Sequence, residues 1–289
     1  MNADFAATVA LPLALALIMF GLGLTLTLAD FKRVAAFPKP ILVGLGCQMI
    51  VLPLVAFALC YLFSLRPEFA IGLMVLAASP GGISSNIYSH LSDGDVALNL
   101  TLTAINSVLG AVALPLFTAL AIKSFAGQDQ TIDLQFRKMV EVFAIVLVPA
   151  VIGMLVNKKF TSFGRRMDKP VRIFSIVVLA VIILAAVSKE WRLLTDHIGE
   201  VGFAVLSFNL ISLGVGYLVP LFLKISHRQA TAISMEVGIH NGTLALYMAM
   251  SVLGSTAYAV PAAVYSVVMY FTAFAFSWFL KKKNSGLLV

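Results

Sequence analysis

The chain has 289 residues, 61% of them hydrophobic and only 11% charged. A soluble domain of this size carries roughly 25% charge, so the composition excludes one and indicates an all-α, multi-spanning membrane protein. The net charge of +7 admits an anionic partner such as nucleic acid. However, the cations lie in short connections where they set topology, so the expected surroundings are a lipid bilayer and no nucleic acid.

Nine apolar stretches approach the roughly 20 residues that a crossing helix needs. They run over 7–28, 38–63, 69–90, 95–122, 137–156, 172–188, 199–223, 229–253 and 257–280. Alternate connections hold unequal numbers of cations. Lys32, Arg33, Lys39, Lys158, Lys159, Arg165, Arg166, Lys169, Arg172, Lys224, Arg228 and Lys281–Lys283 fall on one side, and Arg66, Lys123, Arg137, Lys138, Lys189 and Arg192 on the other. The positive-inside rule then expects an N-terminus outside and a cytoplasmic C-terminus, in a plasma membrane. No Lys or Arg precedes Lys32, so the basic region of a signal peptide is not expected. Cys47 and Cys60 share one span thirteen residues apart, about 20 Å along a helix and too far to bridge.

In the third span, Ser79-Pro80-Gly81-Gly82-Ile83-Ser84-Ser85-Asn86 contains a residue without a backbone donor and two permissive glycines. The helix is expected to unwind there, with a proline kink as the milder alternative. Backbone freed at membrane depth is expected to line a polar cavity. In the fourth span, Asn99, Thr103 and Asn106 are spaced i, i+4, i+7 on one helix face. Such a stripe serves either as interhelical hydrogen-bonding glue or as a set of oxygen ligands.

The eighth span holds Glu236-Val237-Gly238-Ile239-His240-Asn241. Glu236 is the only acid deep inside any span. A carboxylate near a bilayer centre costs on the order of 3 kcal/mol, so it needs a partner, a proton or an ion. Ser, Thr, Asn, Gln and Glu oxygens suit a hard cation such as Na⁺ rather than a transition metal. His240, four residues on, could share a proton with Glu236. Aligning Gly82-Ile83 on Gly238-Ile239 gives a weak internal repeat, and each of these spans follows one with a mid-membrane amide, Gln48 or Asn209. The copies would be inverted, and interrupted helices in inverted halves point to a transporter's binding site.

Met19-Phe-Gly-Leu-Gly-Leu-Thr-Leu26, the Ser79–Asn86 stretch and Glu236–Asn241 together resemble the bile acid:sodium symporter family, over nearly the whole chain. Bacterial members often have ten helices, and this chain looks as though it starts at their second. The resemblance implies inverted repeats with two discontinuous crossing helices. It implies a core domain over about 38–122 and 199–280, and a panel domain over about 7–28 and 137–188.

It also implies two Na⁺ sites. The first would use Ser85, Asn86, Thr103 and Glu236, with Asn99 where the family has a hydroxyl residue. The second would use Gln48, Glu236 and the carbonyls of Val237 and Ile239, but has His240 where a Gln is usual. Neutral imidazole is a poor Na⁺ ligand, so either this site is weakened or coupling uses one Na⁺, with or without a proton. Gly82, Ile83 and Asn241 are the implied solute contacts, and Met269-Tyr270 replace a His-Asn pair found in some members. The expected function is sodium-coupled symport of an organic anion, bile acid-like or a small carboxylate, by alternating access. The alternatives are a proton-coupled carrier using Glu236 and His240, and an anion-binding membrane sensor without transport. No catalytic constellation points to an enzyme.

Overall fold

The computed structural model describes residue 9, residues 11–126, 136–164 and 191–284, and scattered positions between 166 and 188. The sixth expected span, 172–188, and the start of the first therefore lie largely outside the described residues. Among the described residues the fold is all-helical, with one isolated β-bridge.

Among the described residues, five helices are long and apolar enough to cross a membrane: Pro38–Leu62, Val96–Phe125, Val140–Lys159, Ile198–Phe222 and Ala257–Lys281. Large apolar side chains on them face outward, with Leu54 64%, Phe203 65% and Phe271 74% exposed. That is the pattern of helices whose outer solvent is hydrocarbon, and the chain is a multi-pass membrane protein.

In chain order the helices are α1 (Leu11–Thr25), α2 (Leu28–Ala36), α3 (Pro38–Leu62), α4 (Pro67–Ala78), α5 (Ser84–Leu91) and α6 (Val96–Phe125). They continue as α7 (Phe136–Lys159), α8 (Trp191–Phe222), α9 (His227–Gly238), α10 (Gly242–Val252) and α11 (Val260–Asn284). Local chemistry sets several ends. Pro67 opens α4 at a position where its missing N–H costs nothing. Asp95 caps α6 by accepting from Leu98 N at 3.1 Å, and Asn241 caps α10 by accepting from Leu244 N at 3.1 Å. Within the described residues α8 is already helical at Trp191, eight residues before the expected span, so the polar turn Arg192–His197 is helical beyond the apolar window.

The expected interruptions are present. α4 stops at Ala78, and Ser79 is extended (φ −71°, ψ 142°), as the residue before a proline must be. α9 stops at Gly238, and Ile239 is also extended (φ −116°, ψ 96°). The two breaks meet. Gly81 and His240 form an antiparallel bridge, with Gly82 N donating to Ile239 O at 2.7 Å and Asn241 N donating to Pro80 O at 2.8 Å. Each break thus satisfies backbone groups freed by the other, which answers how such backbone persists at this depth.

Around this crossing, Phe69–Ala78 of α4 and Ala230–Gly238 of α9 are buried at every position. α6 packs on α4 and α9, and α8 packs on α9 and α11. α1 packs lengthwise on α7. That pair is in backbone contact, since a Cβ on Gly23 would lie 2.0 Å from Ala150 O and one on Gly153 would lie 2.2 Å from Phe20 O. Cys47 and Cys60 are both buried free thiols.

Candidate functional site

Glu236, on the last turn of α9, is fully buried, and its carboxylate faces the first break and the polar stripe of α6. Thr103 Oγ1 lies 2.6 Å from Glu236 Oε2, Ser85 Oγ lies 2.9 Å from the same oxygen, and Asn106 Nδ2 donates to Oε1 at 3.0 Å. Asn99 completes the group. Its Nδ2 donates to Ala232 O at 2.8 Å, which turns Oδ1 toward Ser85 Oγ, also at 2.8 Å. Among the described residues the ion pairs include Arg33–Asp30 and Arg66–Glu68, and no basic side chain pairs with Glu236.

Counting protons shows what this cluster lacks. The single Ser85 hydroxyl proton faces both Asn99 Oδ1 and Glu236 Oε2. The single Thr103 proton faces Glu236 Oε2 and, at 3.0 Å, Asn99 O. Asn106 Oδ1 is buried with no hydrogen-bond partner. Acceptors therefore outnumber protons around a buried carboxylate, and buried oxygens in that condition are costly. One positive charge removes the deficit. A cation bound by Glu236, Ser85, Asn99, Thr103 and the Asn106 amide oxygen would have hard oxygen ligands only. The residues fit such an ion. No cluster of three or more His, Cys, Asp or Glu side chains occurs among the described residues.

The stripe read from sequence thus comes together at Glu236, and Asn106 joins it although the motif comparison left it out of the ligand set. Asn86 is placed differently. Its Nδ2 lies 3.5 Å from Ile83 O, its Oδ1 has no partner, and it lines a cavity of about 440 Å³ between α1, α5, α6 and α7. Thr25, Thr27, Ile83, Asn157 and Thr161 also line that cavity. It is largely apolar with a few polar groups, as small-molecule pockets are.

His240 does not hydrogen-bond to Glu236. The extended Ile239 turns it to the other side of the crossing, where Nε2 lies 3.3 Å from Gln48 Nε2 and Nδ1 lies 3.0 Å from Tyr265 Oη. Gln48 sits on a π-helical turn of α3, Cys47–Val51, and also donates to Ser79 O at 3.0 Å. The carbonyl that ends α9, Gly238 O, accepts from Asn209 Nδ2 at 3.0 Å and from Tyr265 Oη at 2.8 Å. Asn209 Oδ1 in turn accepts from Thr272 Oγ1. The expected solute contacts are partly committed: Gly82 N and Ile239 O bond each other, and Asn241 spends its side chain on the α10 cap. Tyr270 Oη lies 3.4 Å from Ser84 Oγ, and its ring stacks on Tyr88.

The family model described as the sodium bile acid symporter family matches residues 12–197, more than half of the chain. The chain belongs to the sodium bile acid symporter family. It is 30% identical to the human P3 protein over 221 residues, covering 76% of this chain and 46% of that one. It is 29% identical to a probable sodium/metabolite cotransporter, chloroplastic BASS1 of Arabidopsis thaliana, over 83% of this chain and 59% of the relative. It is 28% identical to the uncharacterized sodium-dependent transporter YocS of Bacillus subtilis, over 82% of this chain and 72% of that one. The chain thus spans about half the length of the human relative. The plant and bacterial relatives bear the names of a cotransporter and a transporter, not of enzymes.

Proposed function

We propose that this chain is a sodium-coupled symporter of an organic anion that works by alternating access. The observation that carries this reading is the acceptor excess around Glu236, which one Na⁺ held with Ser85, Asn99, Thr103 and Asn106 would relieve. Membership of the family supports it, as do the sodium-dependent names of its relatives. The anion would sit in the cavity beside the first break, near Ile83 and Asn86, where the start of α5 points its positive dipole end.

An inverted repeat is supported by how the two breaks are capped. Gln48 donates to Ser79 O just after α4 ends, and Asn209 donates to Gly238 O at the end of α9. Each amide lies in the span before the interrupted one. On this reading α3–α6 and α8–α11 form the core, over about 38–122 and 199–280. The panel, over about 7–28 and 137–188, contains the α1–α7 pair. The N-terminus is outside and the C-terminus cytoplasmic.

Uptake into proteoliposomes tests the proposal. A Na⁺ gradient should drive accumulation of the carried anion, and Glu236→Gln should remove the sodium dependence. Uptake indifferent to the gradient rejects it. A proton on Glu236 relieves the same deficit, so proton coupling is the second reading, and it predicts uptake driven by a pH gradient in sodium-free buffer. His240 has no part in it, because its ring is turned away from Glu236.

A further inference from the structure

The polar groups on the two sides of the crossing are not equivalent. On the Glu236 side, acceptors exceed protons. On the His240 side, both ring nitrogens are matched. Tyr265 Oη gives its one proton to Gly238 O, so His240 Nδ1–H must donate to Tyr265 Oη. The ring then accepts at Nε2, from one of the two Gln48 Nε2 protons, while the other goes to Ser79 O. Three of the carbonyls at the breaks are occupied: Pro80 O by Asn241 N, Ile239 O by Gly82 N, and Gly238 O by Asn209 and Tyr265. Gln48 Oε1 is the one side-chain acceptor in this network left without a partner. One oxygen does not make a cage for a hard cation. The Phe208 ring, 5.6 Å from the imidazole, and the edge-on Tyr265 ring, 5.2 Å away, pack against it.

We propose that this chain binds a single Na⁺ per transport cycle, at the Glu236 cluster, and that His240 fixes this number by filling the opposite side of the crossing with a ring that bonds the Gln48 amide nitrogen and Tyr265 and brings no oxygen of its own. The proposal rests on the sodium reading of the Glu236 cluster. Glu236 and one Na⁺ cancel in charge, so the loaded ion site is neutral, and carriage of one Na⁺ with a monovalent anion moves no net charge.

Equilibrium binding of radioactive ²²Na⁺ to the purified full-length protein in detergent tests this without knowledge of the solute. The expected result is saturation at one Na⁺ per chain, with no cooperativity. In His240→Gln, whose amide supplies an oxygen and cannot close the same network, a second Na⁺ per chain is expected at higher concentration. Saturation of the wild-type protein at two ions overturns the single-ion proposal and leaves the sodium reading intact. Absence of saturable binding overturns the sodium reading itself. If His240→Gln folds, as judged by size-exclusion chromatography and melting, and still binds one ion, His240 is not the residue that sets the number. If it does not fold, the wild-type count decides.

Discussion

A methyl group added to Gly81 would lie 2.2 Å from Glu236 Oε1 and 2.3 Å from its carboxyl carbon. The acid of α9 is thus seated directly on the backbone of the other break. Gly81→Ala should force the carboxylate out of its cluster, since the neighbouring atom is a held group and not a free side-chain end. Misplacement of this kind costs about 1–3 kcal/mol. We expect a lower melting temperature and at least a tenfold weaker stabilisation by Na⁺, measured by thermal unfolding in detergent with and without NaCl.

Two threonines of α6 provide an internal contrast. Thr103 touches Glu236, whereas Thr101, also buried, bonds only Ala97 O of its own helix. A hydrogen bond to a charged group is worth about 1.5–3 kcal/mol. Thr103→Val should therefore raise the Na⁺ concentration for half-saturation by roughly ten- to hundredfold, while Thr101→Val should change it less than threefold. Equal effects would mean that the shift arises from helix packing.

Asn106 was the member of the cluster that motif comparison missed, and its unpartnered Oδ1 gives it a role that a simple hydrogen-bond donor would not have. Asn106→Leu removes both the bond to Oε1 and the available oxygen. The sodium requirement of uptake should rise about tenfold or more, whereas Asn106→Asp, which keeps an oxygen, should retain sodium dependence.

Charge movement provides a separate check on the ion count. For a monovalent carboxylate, imposing an inside-negative potassium diffusion potential should leave initial uptake unchanged. Each net positive charge carried inward would instead add about 2.3 kcal/mol per 100 mV, roughly fifty-fold in accumulation.

The elements that sequence reading located best were those whose signal is local. Pro80 and its two glycines marked one break, and Gly238 the other, because proline and glycine act on their own backbone. The 3.6-residue period placed Asn99, Thr103 and Asn106 on one face, since a helix fixes side-chain direction by count alone. In the breaks no such period holds. The direction of His240 depends on Ile239 being extended, which in turn depends on pairing with residues about 160 positions earlier. For the same reason the Gly82 amide looked available for a solute when it is held by Ile239 O, and Asn86, past the end of the break, turned toward the cavity. The helical turn Arg192–His197, ahead of the expected seventh span, has another cause: hydropathy reports apolar content, and a helix continues past its apolar window without that signal.

The bridge between Gly81 and His240 also constrains how the proposed symporter could switch sides. With each strand hydrogen-bonded to the other, neither interrupted helix can tilt without dragging its partner, so the two behave as one beam. On the proposed alternating-access reading, opening to the far face would come from sliding this beam past the α1–α7 pair, with the cation's cage carried along intact. An ion bound on one side of the bilayer would meet the same ligands on the other.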